Sequence, residues 1–180
     1  EMDADEAADV IEQMEIDDAV ETLEALDEET RNELLELIEE DVKEEIELLE
    51  SYEEDEFGSK MSMNFIVIER NQTIKKAMRA LIAEAAENDN IYTIFVVNED
   101  GSFYGAVDLK DLIVARSDEN FEDLICTTFP FVYDRDIISD NIERLRSYSE
   151  DLIPVISSKH GRLLGVITAM NITDIVDEEL

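Results

Sequence analysis

Carboxylates are the chemistry that this sequence carries in quantity: 49 of its 180 residues are Asp or Glu, against 14 Lys or Arg. A surface so rich in carboxylate oxygens takes up protons, metal cations or basic proteins. Asp3, Asp5, Glu6 and Asp9 stand together in MDADEAAD, and Asp174, Asp177 and Glu178 stand together near the end. Acids at a helix start also cap free N–H groups and complement the macrodipole, so a structural role competes with a ligand role at each of these places. Lys110 and Asp111 put a cation beside an acid at the start of a short apolar run. Other chemistries lack their residues. The single histidine, His160, sits in the turn-like SSKHGR, which leaves no triad and no His-based metal site. Cys126 is the only cysteine, so neither a disulfide framework nor a Cys-type metal site exists. Asn98-Glu-Asp-Gly101 lacks the 12-residue ligand spacing and terminal Glu of a calcium loop.

The formal net charge of −35 excludes nucleic acid as a partner, because phosphate binding needs the opposite sign. An anionic membrane surface is disfavoured for the same reason. No run of about 18 apolar residues is present to span a bilayer. The sequence starts at Glu1 rather than Met and stops inside a helical pattern at DEEL, as an excised piece of a longer protein would.

The carboxylates are positioned by two kinds of segment. Residues 1–57 hold 27 of the acids and only Arg31 and Lys43 as bases. They divide into units of about 12: DADEAADVIEQM, EIDDAVETLEAL, DEETRNELLELI and EEDVKEEIELLE. Each opens on acids and closes on apolar residues such as Val10, Ile11 and Met14, or Leu34, Leu35, Leu37 and Ile38. The restarts at Asp3, Asp17 and Asp27 favour short helices stacked as a small superhelix over one continuous acidic helix. YEEDEFGSKMSM, with Gly58 and Ser59, reads as a connection.

Beyond it the pattern changes to strand, helix, strand, strand, helix, written twice. The clearest copy is Ile91–Ala115, in which IYTIFVV is a buried strand and NEDG a tight turn. Phe103–Val107 is the second strand, and Asp108 caps the helix LKDLIVA. About 60 positions later LIPVISSKHGRLLGVITAMNITDIV repeats it, with Gly161 for Gly101, Gly165 for Gly105 and Thr168 for Asp108. The leading strands are Phe65–Ile68 and Phe129–Tyr133, and the leading helices follow Thr73 and Ser139.

Gly105-Ala-Val-Asp-Leu-Lys-Asp111 and Gly165-Val-Ile-Thr-Ala-Met-Asn171 resemble the signature of tandem cystathionine-β-synthase (CBS) domains. Joined to the acidic repeats and YEEDEFGSKM, they resemble the cytosolic part of the MgtE family of magnesium channels and transporters. The resemblance implies an α+β chain: an all-α superhelical domain over 1–57, a linker over 58–64, and CBS domains over 65–120 and 121–180, the last running into a connecting helix. It implies a Mg²⁺ sensor and not an enzyme, with the family's transmembrane domain as its partner and a homodimer formed through CBS faces. In the full-length protein it would lie at the cytoplasmic face of the membrane. Asp3, Asp5, Glu6 and Asp9 match the family's acidic helix start, and Asp174, Asp177 and Glu178 its last acidic positions. These seven are the expected Mg²⁺ ligands. Met170 and Asn171 replace an acidic pair that the family commonly carries, which weakens any bridge there. Asp111 matches the CBS ribose position, with Lys110 near a phosphate, while Asn171 breaks the equivalent place in the second copy; ATP is a candidate second ligand against a plain helix-start carboxylate, and an adenine-nucleotide sensor is the alternative function.

Overall fold

In the computed structural model, which describes residues 3–86, 88–171 and 173, the chain divides into two units, Glu1–Glu54 and Asp55–Leu180. The first unit is four short helices, α1 (Ala4–Glu12), α2 (Ile16–Glu24), α3 (Glu28–Leu37) and α4 (Glu40–Glu50). Their N-caps are Asp3, Glu15, Asp27 and Glu39, the first residue of each 12-residue unit. The second helix therefore restarts at Glu15, and Asp17 sits in its first turn. Asp3 and Asp27 accept hydrogen bonds from the N–H groups of Glu6 and Thr30, at 2.9 and 3.0 Å. α1 packs on α3 and α2 on α4. Ala8 and Ile11, then Ile16, Ala19 and Leu23, are buried at the three- and four-residue spacing of one helix face. Leu34, Ile38 and Ile46 complete the interior, whereas Val10 and Leu37 face solvent.

The second unit holds two three-stranded sheets. β1 (Ile66–Glu69) runs parallel to β2 (Thr93–Val97), which pairs antiparallel with β3 (Phe103–Asp108). β4 (Val132–Tyr133), β5 (Leu152–Ile156) and β6 (Leu163–Thr168) repeat that topology. Both hairpins slip register at the same place, Val96/Val97 and Val155/Ile156, so the duplication extends to the bulge. α5 (Ile74–Glu84) and α7 (Ile138–Arg146) are the crossovers that parallel pairing requires. α6 (Leu109–Val114) follows β3, and Thr168 opens the matching helix after β6. Among the described residues no helix is long and apolar enough to cross a membrane.

Each half reaches back to pair with the other half's last strand. Cys126 exchanges two backbone hydrogen bonds with Ala106 of β3, at 2.8 and 3.1 Å. Ser62 does the same with Val166 of β6, at 2.8 and 2.9 Å. Residues 55–62, which lie inside the stretch that reads as a connection, are thus folded into this unit. Phe57 is fully buried, the N–H of Gly58 donates to the carbonyl of Asp134, and the N–H of Ile138 donates to that of Asp55. The close approach explains the two glycines of the repeated motif. A Cβ at Gly105 would lie 2.5 Å from the Cys126 carbonyl oxygen, and one at Gly165 would lie 2.8 Å from the Met61 sulfur.

The two hairpin turns also meet. The N–H of Phe103 donates to the carbonyl of Gly161 and that of Leu163 to Gly101, at 2.9 and 3.2 Å. Between the sheets lies an aromatic cluster in which Phe95 contacts Phe65, Phe103 and Phe129 at ring distances of 5.9 to 6.3 Å. Phe95 is fully buried there with Ala106, Leu152 and Val166, so the core belongs to both halves at once.

Candidate functional sites

Four of the seven acids expected to hold metal, Asp3, Asp5, Glu6 and Asp9, fall at the start of the first helix of the first unit. Asp3 caps α1, and one carboxylate oxygen is engaged by the N–H of Glu6. Asp5 and Glu6 occupy the first turn and Asp9 the next. Spacings of three and four residues put Asp5, Glu6 and Asp9 on neighbouring surface positions, and all four acids are exposed. They offer hard oxygen donors with open faces, the donor type that Mg²⁺ takes. Among the described residues, no three His, Cys, Asp or Glu side chains converge as a ready metal cage. Asp174, Asp177 and Glu178 lie outside the described residues.

Lys110 and Asp111 belong to the first turn of α6 in the second unit, and both are exposed. Asp108 caps that helix by accepting the Lys110 N–H at 2.7 Å, which leaves the Asp111 side chain facing solvent. The second copy is different. The Asn171 side-chain oxygen accepts from both the N–H and the hydroxyl of Thr168, at 3.1 and 2.7 Å, while the Asn171 N–H donates back to that hydroxyl. This is a reciprocal cap of the capping-box type. The Asn171 amide is occupied in holding the helix start, and Met170 beside it is 75% exposed.

The structure adds two features that sequence reading missed. A cleft of about 270 Å³ in the second unit is walled by Phe65, Val67, Val97, Leu163 and Leu164, with Gly101 and Arg162 at its polar side. Arg162 is fixed there by a hydrogen bond from its Nε to the carbonyl of Asp100, at 3.0 Å. It is an exposed cation beside an apolar recess, although in sequence it is only one base in a turn. The second feature is an ion-paired lock between the halves. Arg70 donates to both oxygens of Glu122, at 3.3 and 2.8 Å, and lies 3.6 Å over the ring of Tyr104. Glu122 also accepts the N–H of Asn71, whose φ of +62° is left-handed. Hydrogen bonding from Arg70 holds the Glu122 carboxyl below its ordinary range and raises the Arg70 guanidinium.

An acidic four-helix unit precedes a duplicated strand-helix-strand-strand unit whose halves exchange lead-in strands. Residues 1–55 match the MgtE intracellular N domain and residues 56–118 match the CBS domain. The crystal structure of the soluble part of a magnesium transporter, 31% identical, superposes with a TM-score of 0.87 over 99% of this chain and 69% of that one. The cytosolic domain of the Mg²⁺ channel MgtE in complex with ATP, 27% identical, gives 0.80 over 93% of this chain and 68% of that one. The magnesium transporter MgtE of Thermus thermophilus is 31% identical over 136 residues, which is 75% of this chain and 30% of that protein. The chain belongs to the MgtE family. It spans about 30% of the length of the curated relatives that it matches.

Proposed function

We propose that this chain is the cytosolic Mg²⁺-sensing region of a magnesium channel or transporter, joined at the cytoplasmic face of the membrane to a transmembrane domain. It regulates and does not catalyse. The observation that carries the reading is the ordering of acids along the first unit, where every helix is opened by an acidic cap and an acidic first turn. Two carboxylates about 4 Å apart repel by roughly 4 kcal/mol at an effective dielectric near 20. A divalent cation between two such surfaces reverses that sign. Mg²⁺ keeps several of its waters, so one or two carboxylates from each surface suffice. On this reading Asp3, Asp5, Glu6 and Asp9 offer one surface, and Asp174, Asp177 and Glu178 the other. Binding to the bridged form alone shifts the population toward it, and the connected pore closes.

The test is a calorimetric Mg²⁺ titration of the 180-residue chain against a variant carrying Asp3→Asn, Asp5→Asn, Glu6→Gln and Asp9→Asn. Asparagine retains the cap of α1, so the variant keeps its helix. The midpoint should rise at least about fivefold. An unchanged midpoint would remove these acids from the sensor.

Ile82 on α5 and Ile113 and Val114 on α6 are 61 to 67% exposed on two helices that lean on each other. This apolar face supports pairing of two copies through the CBS helices. A second reading, adenine-nucleotide sensing, is favoured by the cleft at Arg162, whose apolar walls suit a base and whose cation suits a phosphate. Lys110 and Asp111 are the further candidates for that ligand. Calorimetry with ATP and AMP, in excess Mg²⁺ and in chelator, separates the readings. A sensor of Mg²⁺ alone gives no heat with AMP in chelator, and a nucleotide sensor does.

A further inference from the structure

Because the second unit is written twice, each residue that faces the space between its sheets has a counterpart in the other half. The strand pairings equate Val67 with Phe131, Leu163 with Phe103 and Arg162 with Ser102. The two places are filled differently. Val67 and Leu163 line the open recess of about 270 Å³ beside Arg162. At the counterpart, the ring of Phe131 lies 6.1 Å from that of Phe103 and 5.4 Å from that of Tyr133. Two aromatic rings thus meet where the recess has a valine and a leucine.

The cation is also on one side only. A Cβ on Gly101 would meet the Arg162 Nε at 3.0 Å, so the glycine lets the guanidinium lie against the turn, where Nε donates to the Asp100 carbonyl. The Asp100 carboxylate is bonded to the N–H and hydroxyl of Ser102, at 3.0 and 2.6 Å. Apart from Gly101 and Arg162, the lining side chains are all apolar. The recess therefore offers an apolar body close walls, an anionic group one partner, and a sugar none. Its lining falls within residues 65–164, and none of the acids assigned to Mg²⁺ belongs to it.

We propose that this recess is a site for a small aromatic monoanion of the aryl carboxylate type, with its ring against Val67 and Leu163 and its charge on Arg162. Val67 keeps the site open where Phe131 closes the counterpart. Such a ligand needs no sugar contact, unlike the nucleotide of the second reading, and Lys110 and Asp111 stand beyond the opposite end of β3 from Gly101.

The test titrates the 180-residue chain, isotope-labelled at its Val and Leu methyls, with naphthoate, neutral naphthylmethanol and AMP in chelator. NaCl at about 0.15 M screens the chain's overall charge beyond about 8 Å. Naphthoate should shift the methyls of Val67, Val97, Leu163 and Leu164 saturably. Naphthylmethanol should bind about tenfold more weakly, and Arg162→Gln should remove that difference. Val67→Phe, which copies the second half, should weaken naphthoate at least about tenfold. Leu163→Phe fills the recess from the other wall and should do the same, so a misfolded Val67→Phe does not leave the question undecided. Unmoved methyls, or undiminished binding in both filled variants, would overturn the proposal. Equal binding of acid and alcohol would overturn its choice of an anion. AMP that displaces naphthoate would give the recess to the nucleotide instead, whereas AMP that leaves these methyls unmoved while naphthoate moves them supports a separate site.

Discussion

Glu122 joins two separate pieces of the second unit: the Arg70-Asn71 segment, through the guanidinium and the Asn71 N–H, and its own turn between the two halves. Its carboxyl titrates below the ordinary glutamate value of 4.5, chiefly because Arg70 donates to it. The stability it contributes is therefore present above that value and is lost as the pH falls through the lower, folded value. Glu122→Gln should cost about 1 kcal/mol at neutral pH, since the pair is only partly shielded from water. Urea unfolding at pH 7 and at pH 3 should show that difference shrinking toward zero in acid. Gly105 is a different dependence, on space alone. Gly105→Ala should destabilise by roughly 1–3 kcal/mol, because the backbone oxygen of Cys126 cannot swing away. Gly165→Ala should cost less, since the Met61 side chain can turn, although the Ser62 oxygen at 3.0 Å limits the relief. Equal losses in the two variants would contradict this account of the repeated glycine.

The helices of the first unit are short because their caps recur every 12 residues, not because propensity fails. Asp27 accepts from both the N–H and the hydroxyl of Thr30, and those bonds hold its carboxyl below 3.8. Asp27→Ala should weaken the unit, read as a lower thermal midpoint, while Asp27→Asn should be nearly silent. These elements were legible in sequence because caps, turn glycines and apolar spacing are local signals. Thr73 capping α5 and Asp108 capping α6 fell where expected for the same reason. The pairing of Ser62 with Val166 and of Cys126 with Ala106 was not legible, because each joins segments distant in sequence through backbone groups that carry no side-chain signature. The strand expected over Phe129–Tyr133 shortens to Val132–Tyr133; Pro130, in the lost part, has no N–H to donate to a ladder. Arg162 was missed because its importance comes from the recess beside it. Asn171, expected to weaken a metal bridge, caps its helix start through its side-chain oxygen.

At the scale of the molecule, the first unit concentrates negative charge and the second supplies a doubled frame whose core both halves share. Neither half buries Phe95 alone. If two copies meet through the CBS helices, Ile113→Asp with Ile82→Asp should weaken self-association at least tenfold in sedimentation equilibrium without lowering the thermal midpoint of the monomer. The seven acids proposed as ligands are the part of the site carried by resemblance. Four of them stand exposed on one helix, and Asp174, Asp177 and Glu178 lie outside the described residues.

The central claim is that Mg²⁺ brings acidic surfaces together. Small-angle scattering of the 180-residue chain at low ionic strength tests it most directly, with millimolar Mg²⁺ compared against chelator and against NaCl of matched ionic strength. The expected result is a smaller radius of gyration in Mg²⁺ than in either control. Profiles that superimpose under all three conditions would contradict it.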